Sequence, residues 1–415
     1  MENRAVSSTA SKEILYLKTF IITLASLLLF TILIILPYSL WWLYESGDAG
    51  MERAIEAQAK GQFALFGSGL SQDFVDYKLH LYEAIRPQII ALGSSRVMQF
   101  RADWFSKPFL NMGGVAGNLA VLRSTLEAML AIARPDAIIL GLDFWWFLPQ
   151  WEKDPTENVP PTSGSYNYSL DSLKKPWEWL LDGKISFTEL GAPVLGFFGK
   201  GFRTDRFGIM AQQTNDGFGP DGSWYYTAEI TGQRAALDWQ FRDTLQNVKR
   251  GIRAFYHAAS NQTGPEHVHL EVLAKILHTL KDHNIHVYIF IPPLAAQVLA
   301  SMNPREYPHL FRLNQELDKM GITAVDYTDP AILQADDCEF VDGFHGGEVA
   351  YARILRSLAQ HWPSLHTYVN MEKLNEIILA WHGHALIADD RITSRPETDF
   401  LGLNCIKRPD LKALK

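Results

Sequence analysis

The sequence predicts an α/β protein in which a five-stranded parallel sheet follows one N-terminal transmembrane helix. A run near the N-terminus, from Thr19 to Tyr44, contains no charged residue over 26 positions. Short apolar segments then alternate with segments of helical period, which is typical of a parallel sheet covered by helices on both faces. The composition is 47% hydrophobic and 20% charged over 415 residues, which indicates a folded chain and excludes a mostly disordered one.

The apolar run is long enough to cross a bilayer, because about 20 apolar residues span the hydrocarbon core. It is too long for the apolar part of a signal peptide. Aromatic residues at its far end, Trp41, Trp42 and Tyr44, suit an interfacial belt. Its flanks differ in charge, with basic residues before it and acidic residues after it: Arg4, Lys12 and Lys18, then Glu45, Asp48 and Glu52. The positive-inside rule therefore predicts a single-pass protein of the inner membrane with a cytoplasmic N-terminus and a periplasmic C-terminal domain.

Five short apolar segments are predicted strands, and four longer segments between them are predicted helices. The strands are residues 87–93, 109–114, 136–144, 286–291 and 323–327, and the helices are 119–133, 270–281, 304–320 and 347–360. The predicted organisation is a cytoplasmic segment 1–18, an anchor 19–44, a polar helical connector 45–85, an α/β domain 86–365 and a tail 366–415 with one helix over 371–387. Residues 148–265, rich in Gly, Pro and aromatic residues, form one long insertion with only weak strand or helix patterns.

Composition also excludes several kinds of site. The net charge of −8 gives no electrostatic reason to expect a nucleic-acid partner. Two cysteines cannot form a disulfide scaffold or a four-cysteine zinc site, and whether Cys338 and Cys405 pair with each other stays open. The His-x-His pairs at 267–269 and 382–384 have no third residue at metal-ligand spacing, so we expect no metal. No phosphate-binding or dinucleotide-binding glycine motif occurs, and no cofactor is expected.

Two short motifs carry the chemistry. Ser95, within Gly93-Ser94-Ser95-Arg96, follows the first predicted strand, where functional residues of parallel sheets collect. Asp342 lies three residues before His345, so that one turn can bring its carboxylate to a ring nitrogen. Either motif alone also fits a helix N-cap. Together they fit a Ser-His-Asp triad, in which the carboxylate orients a histidine that activates the serine. Ser94 is the rival nucleophile.

The order of these motifs resembles the SGNH (GDSL-like) hydrolase superfamily. The resemblance covers about residues 87–145 and 265–362, and it implies a three-layer fold. It also implies that Ser95 is the nucleophile, with His345 and Asp342 completing the triad, and that the amides of Ser95 and Gly113 hold the oxyanion. The superfamily usually has Asn within a G-x-N-D motif, whereas this chain has Gly141-Leu142-Asp143.

Four further residues are candidate substrate contacts: Arg96, Asn111, Asp143 and Trp145. For Arg96, contact with an acyl carbonyl or an acidic group and a salt bridge to Asp143 are equally open. Asp143 either has a structural role or faces the site. The aromatic residues around Trp145 could stack on sugar rings, but a role in the core of the insertion is favoured for most of them.

Within the superfamily the chain is most similar to membrane-anchored proteins of cell-envelope acylation. Those of lipoteichoic-acid D-alanylation and alginate O-acetylation are examples. This resemblance implies an acyltransferase or esterase acting on an envelope polysaccharide or lipid-linked glycan, beside a membrane-bound O-acyltransferase. The alternative is an inactive scaffold or glycan-binding partner of such an acyltransferase, which the missing Asn favours.

Overall fold

The structure is a computed structural model. It describes residues 2–70, 74–160, 170–231, 241–250, 256–387, 389, 391–392 and 398–405. Parts of the predicted insertion and most of the predicted polar coil beyond residue 387 lie outside these ranges.

Five strands form one parallel sheet, as the apolar segments predict. The strands are β1 Ile89–Gly93, β2 Phe109–Gly113, β3 Ala137–Gly141, β4 His286–Ile291 and β5 Val325–Asp326. Their order across the sheet is β2-β1-β3-β4-β5, and Ile89 of β1 lies opposite both Phe109 of β2 and Ala137 of β3. The chain changes direction of growth between β1 and β3, and ligands of open parallel sheets bind at such a switch point, beyond the strand C-termini.

Both faces of the sheet are buried, which is why its strands read as continuously apolar. Ile90 and Leu92 of β1 pack into one apolar cluster, and Ile89 and Ala91 pack into another. The first cluster includes residues of helices Val75–Ile85, Leu119–Ile132, His267–Asp282 and Leu313–Lys319. The second includes residues of helices Glu348–His361 and Met371–Ala380.

Two predicted helices differ from the structure in their bounds. The segment predicted as a single helix over 304–320 forms two short ones, Pro308–Phe311 and Leu313–Lys319. The helix predicted over 371–387 ends at Ala380. Leu374 and Ile378 of this helix are buried against the sheet, so this part of the predicted tail belongs to the domain core.

The N-terminal apolar run is helical throughout. Helix Glu2–Phe30 continues through a π-helical turn, Thr31–Ile35, into helix Leu36–Ser46. Pro37 explains the turn, because proline has no N–H to donate to the preceding turn and the wider π-turn accommodates its ring. Among the described residues this is the one helix long and apolar enough to cross a membrane.

The predicted helical connector 45–85 contains helices Met51–Ala59 and Val75–Ile85 and, between them, a short strand that the sequence did not predict. Its residues Leu65–Phe66 form the second strand of a small four-stranded sheet. The other three strands come from the insertion: Arg206–Phe207 pairs parallel to it, Gly217–Phe218 pairs antiparallel, and Trp224–Tyr225 follows. Strands of two residues carry no readable periodicity, so the sequence could not reveal them.

The remaining helices are short, and two of them, Met51–Ala59 and Ile209–Thr214, pack beside this small sheet. They are Met51–Ala59, Leu170–Leu181, Phe187–Leu190, Ala192–Gly196, Ile209–Thr214, Thr227–Ile230, Phe241–Lys249, Ala296–Leu299 and Pro363–His366. Single 3₁₀ turns lie at Ser95–Val97, Ala102–Trp104, Phe144–Phe147, Pro330–Leu333 and Asp337–Glu339.

A buried carboxylate joins the end of the N-terminal helix to the small sheet. Asp48 accepts hydrogen bonds from the backbone amides of Gly69 at 2.7 Å and Ile209 at 2.9 Å. The Ser46 and Ser68 hydroxyls also donate to it. Burial raises the pKa of Asp48 to about 6, against the lowering effect of these four hydrogen bonds.

The two cysteines pair. Cys338 and Cys405 form a disulfide with their Cα atoms 5.7 Å apart. The bond ties residues 398–405 to the loop that precedes Asp342.

Candidate active site

The turn after β1 presents one serine and buries the other. The Ser94 hydroxyl accepts a hydrogen bond from the Arg96 amide at 3.2 Å, so Ser94 caps the 3₁₀ turn Ser95–Val97. The capping role that the sequence left open for this motif therefore falls to Ser94. Ser95 is the first residue inside the turn, and its side chain points away from the cap toward His345.

The loop from Asp342 to His345 is shaped by a left-handed glycine. Gly343 has φ +83°, a conformation that other residues rarely adopt, and it lets the chain reverse between Asp342 and Phe344. Asp342 Oδ1 accepts hydrogen bonds from the amides of Phe344 at 2.8 Å and His345 at 2.7 Å. Its second oxygen is thereby aimed at the imidazole.

The three predicted triad residues converge. Asp342 Oδ2 lies 2.7 Å from His345 Nδ1, and His345 Nε2 lies 2.9 Å from Ser95 Oγ. Both distances are within hydrogen-bond range, although Ser95 and His345 are 250 positions apart in sequence. Ser95 Oγ therefore lies beside a nitrogen that can take its proton.

Exposure singles out the same two residues. Every residue from 89 to 101 is buried except Ser95, and every residue from 339 to 355 is buried except His345. Two long buried stretches thus each open to solvent at one side chain, and these two side chains are in contact.

The carboxylate of the triad is held in its ionised form. Burial alone would raise the pKa of Asp342. The nearby His345 imidazole and the three hydrogen bonds that the Asp342 carboxylate accepts outweigh burial and lower the pKa of Asp342. A charged Asp342 favours the Nδ1-H tautomer of His345, which leaves Nε2 free to act as a base.

Arg96 is a structural cation, which corrects its candidate role as a substrate contact. It is 1% exposed, and its Nη1 forms a salt bridge of 3.1 Å with Asp143. Its Nε donates to the Phe344 carbonyl, and its Nη2 donates to the carbonyls of Pro292 and Pro293. One planar guanidinium therefore joins the ends of β1, β3 and β4 to the triad loop. The Pro-Pro pair after β4 was the sequence signal for this site that the prediction did not use.

Asn111 and Gly113 also differ from their predicted roles. Asn111 is fully buried, and its Nδ2 donates to the carbonyls of Val97 and Phe100 at 3.0 Å each. Its Oδ1 accepts the Gly113 amide at 2.7 Å, so this amide is already engaged and is not available to an oxyanion. Asn111 therefore fixes the turn that carries Ser95 and does not face a substrate. In the described chain no hydrogen bond uses the Ser95 amide, the other predicted oxyanion donor.

Asp143 lies just beyond the end of β3, in the segment Gly141-Leu142-Asp143 that was compared above with the G-x-N-D motif. It is buried in the salt bridge with Arg96, which gives it the structural role that the sequence left open. Burial raises the pKa of Asp143 to about 6, against the opposing effect of the Arg96 charge.

Trp145 belongs to an aromatic stack beside the triad and is not an exposed platform, which corrects its candidate role. It is buried against Phe344, at 5.2 Å between ring centroids, and Tyr256, at 4.6 Å, and these two rings also contact each other at 5.9 Å. Trp151 meets the edge of Tyr256 and is itself exposed. The stack supports the residue next to His345 and forms an apolar wall at the site.

The described residues contain no cluster of three or more His, Cys, Asp or Glu side chains able to hold a metal ion. In comparisons with known proteins, no family model matches this chain, and no curated protein matches its sequence.

Proposed function

We propose that this chain is a membrane-anchored serine esterase or acyltransferase of the SGNH type. One observation carries the proposal. Ser95 and His345 are the two residues in otherwise buried stretches that reach solvent, and Ser95 Oγ lies 2.9 Å from His345 Nε2. The Asp342 carboxylate contacts the other ring nitrogen, Nδ1. Buried packing alone does not require a serine, a histidine and a carboxylate in this order. The sheet order and the position of Ser95 beyond β1 also agree with the three-layer SGNH fold that the sequence resembles.

The proposed reaction has two steps. Ser95 Oγ attacks the carbonyl carbon of an ester while its proton passes to His345 Nε2, and Asp342 stabilises the imidazolium. The C–O bond to the leaving alcohol then breaks, the alcohol takes the proton from His345, and an acyl-serine remains. Water or a sugar hydroxyl next attacks the acyl-serine, giving up its proton to His345 and restoring Ser95. The Ser95 amide stabilises the oxyanion, and one such donor contributes about 3 kcal/mol.

The resemblance suggests the setting of this reaction. We propose that residues 19–44 anchor the chain in the inner membrane, with the α/β domain in the periplasm. The substrate would be an envelope polysaccharide or a lipid-linked glycan, and a membrane-bound O-acyltransferase would supply the acyl group. Reporter enzymes fused after Lys415 test the orientation. A reporter that is active only in the periplasm should be active in this fusion. Activity of a reporter that works only in the cytoplasm would contradict the proposed orientation.

Labelling with a fluorophosphonate tests the activated serine. The full-length protein in detergent should be labelled, and Ser95→Ala should abolish labelling and hydrolysis of p-nitrophenyl acetate. Ser94→Ala is the matched control, because it removes the neighbouring hydroxyl, which caps the turn and hydrogen-bonds to Asp143 but is not part of the triad, and it should retain labelling. Labelling that persists in Ser95→Ala would contradict the proposal.

A scaffold function is the second candidate. Two observations favour it: the Gly113 amide is engaged by Asn111, and Asp143 stands where SGNH enzymes usually have an oxyanion-binding Asn. A scaffold would bind glycan or the acyltransferase without reacting. It predicts no fluorophosphonate labelling of the wild type, and unchanged glycan O-acetylation in cells that carry Ser95→Ala.

A further inference from the structure

We use membrane-side region for residues 36–70 and 170–231, which hold the end of the N-terminal helix and the small four-stranded sheet. A short apolar hairpin in this region, residues 185–199, packs against the N-terminal helix. It consists of helices Phe187–Leu190 and Ala192–Gly196 and the turn that follows them. Three of its side chains are almost fully exposed: Phe187 at 82%, Phe197 at 79% and Phe198 at 76%. Contiguous exposed aromatic residues on a folded domain mark an interaction surface.

The charges around the hairpin are arranged as at a membrane interface. Lys184 and Lys200 flank it, and the only charged residue between them is Glu189. The Glu189 carboxylate forms part of a capping box, where it accepts hydrogen bonds from the amide and the hydroxyl of Ser186. The hairpin therefore presents apolar side chains between two lysines. Lys184 lies 3.3 Å from Asp182, and both of these side chains are more than half exposed, so that Lys184 as well as Lys200 can reach lipid headgroups.

The hairpin is fixed to the N-terminal helix. The Tyr38 hydroxyl donates to the Leu190 carbonyl at 2.7 Å, and Trp42 Nε1 donates to the Glu189 carbonyl at 2.9 Å. The rings of Trp41 and Phe197 are in contact, with 6.1 Å between their centroids. These contacts set the height of the hairpin along the helix.

That height lies inside the apolar run. Tyr38 is six residues before Tyr44, which is about 9 Å along a helix with a rise of 1.5 Å per residue. Phe187 and Leu190 line a groove together with Phe30 and Ile34 of the same helix, which lie still further from the end of the run. If the run spans a bilayer, the hairpin cannot avoid the leaflet on the side of the domain.

We propose that residues 185–199 insert into this leaflet, with acyl chains against Phe187, Phe197 and Phe198 and headgroups near Lys184 and Lys200. This inference rests on the proposed membrane anchor. The occupant is lipid because the groove is continuous with the lipid-facing surface of the spanning helix. The domain is then held on the membrane at two places instead of swinging from one helix.

Depth-dependent fluorescence quenching tests the insertion. The full-length chain carrying Phe197→Cys or Phe198→Cys is labelled with an environment-sensitive dye and reconstituted into vesicles of phosphatidylethanolamine and phosphatidylglycerol. The described cysteines are both in the disulfide, so the new thiol is the site of labelling. We expect loss of most of the fluorescence with lipids that carry a nitroxide near the headgroup. Ile332→Cys, exposed on the sheet domain, is the matched control and should not be quenched.

A third position separates failure of the hairpin from failure of the anchor. Leu28→Cys, within the N-terminal helix, should be quenched by nitroxides deep in the acyl chains. Quenching of Leu28→Cys without quenching at 197 and 198 would overturn the insertion and leave the anchor intact, and no quenching at any of the three would overturn both. A water-soluble maleimide tests the occupant. If the thiol of Phe197→Cys is protected from it in native membranes but not in lipid vesicles, a membrane-protein partner and not lipid covers the hairpin.

Discussion

The sheet domain and the membrane-side region are stabilised in different ways. In the sheet domain, burial of apolar side chains holds the five strands in place, and the charged side chains of Arg96 and Asp143 form an ion pair at one edge of the sheet. The membrane-side region has strands of two residues each, and Asp48, a single carboxylate, receives hydrogen bonds from four donors. The four longer strands, β1 to β4, have five or six residues each and need few polar contacts to hold their register, whereas every strand of the small sheet has two residues and gains from a polar centre.

The largest expected effect lies in the sheet domain, at the buried ion pair. Arg96→Met should destabilise the protein by about 3–5 kcal/mol, because Asp143 is then left buried and uncompensated. Thermal or urea unfolding in detergent measures it. Lys60→Met, which removes an exposed ion pair with Glu56, is the control and should leave stability nearly unchanged, because solvent screens this pair. The double variant Arg96→Met, Asp143→Leu should recover much of the loss. Equal stability of Arg96→Met and Lys60→Met would contradict the structural role of Arg96.

The disulfide is expected to contribute next. The double variant Cys338→Ser, Cys405→Ser should lose about 2–4 kcal/mol, because the unfolded chain is no longer constrained by a bond across 67 positions. The same unfolding experiment measures it, and reduction of the wild type with a membrane-permeant thiol should reproduce the shift. An unchanged midpoint in both cases would show that the bond does not constrain the loop before Asp342.

In the membrane-side region, Asp48→Ala should cost about 1–3 kcal/mol, since it leaves the amides of Gly69 and Ile209 without their acceptor. The loss should be local: limited proteolysis should cut residues 170–231 faster, while fluorophosphonate labelling of Ser95 stays at the wild-type level. Ser68→Ala, which removes one of the four donors, is the milder control. Loss of Ser95 labelling in Asp48→Ala would show that the two regions unfold as one unit and would break the comparison.

The effects on the pH dependence of stability are spread over several pH units, and they have opposite signs in the two regions. The pKa of Asp48 is raised to about 6 in the folded protein, above its unfolded value of about 3.9. Its contribution to the free energy of unfolding is therefore fully present below about pH 3.9 and is lost as pH rises through about 6. The pKa of Asp342 is lowered, so its contribution is present above about 3.9 and is lost as pH falls through its folded pKa.

Asp48→Asn should therefore flatten the decline of unfolding temperature between about pH 4 and 7, and Asp342→Asn should flatten the decline in acid, by at most about 1.4 kcal/mol per pH unit. Unfolding temperature measured from pH 3 to 8 checks both. A common response of the two variants would mean that neither carboxylate titrates as described.

The sequence predicted the parts of the fold that depend on neighbouring residues. Ile89–Gly93 and Ala137–Gly141 are recognisable because each is apolar throughout, and Asp342 and His345 because one turn joins them. The environment of Gly113 was out of reach of the sequence because it depends on a side-chain contact: the Asn111 side chain turns back onto the same strand, and its Oδ1 accepts a hydrogen bond from the Gly113 N–H.

The pairing of Leu65–Phe66 with Arg206–Phe207 was equally out of reach. It joins residues more than 100 positions apart and has no periodic pattern. The buried salt bridge was foreseen only as one of two alternatives, because sequence does not tell whether an arginine at a strand end faces solvent or protein. The candidate site was predictable where types of side chain and their spacing decide it, and not where the orientation of a side chain decides it.

The guanidinium of Arg96 has a kinetic consequence. It is attached one residue after Ser95, and it holds the carbonyl of Phe344, one residue before His345. This bond ties the segment that carries Ser95 to the segment that carries His345. Under the proposed function it would restrain the distance between nucleophile and base, and the slow events of the catalytic cycle would be the arrival and departure of molecules.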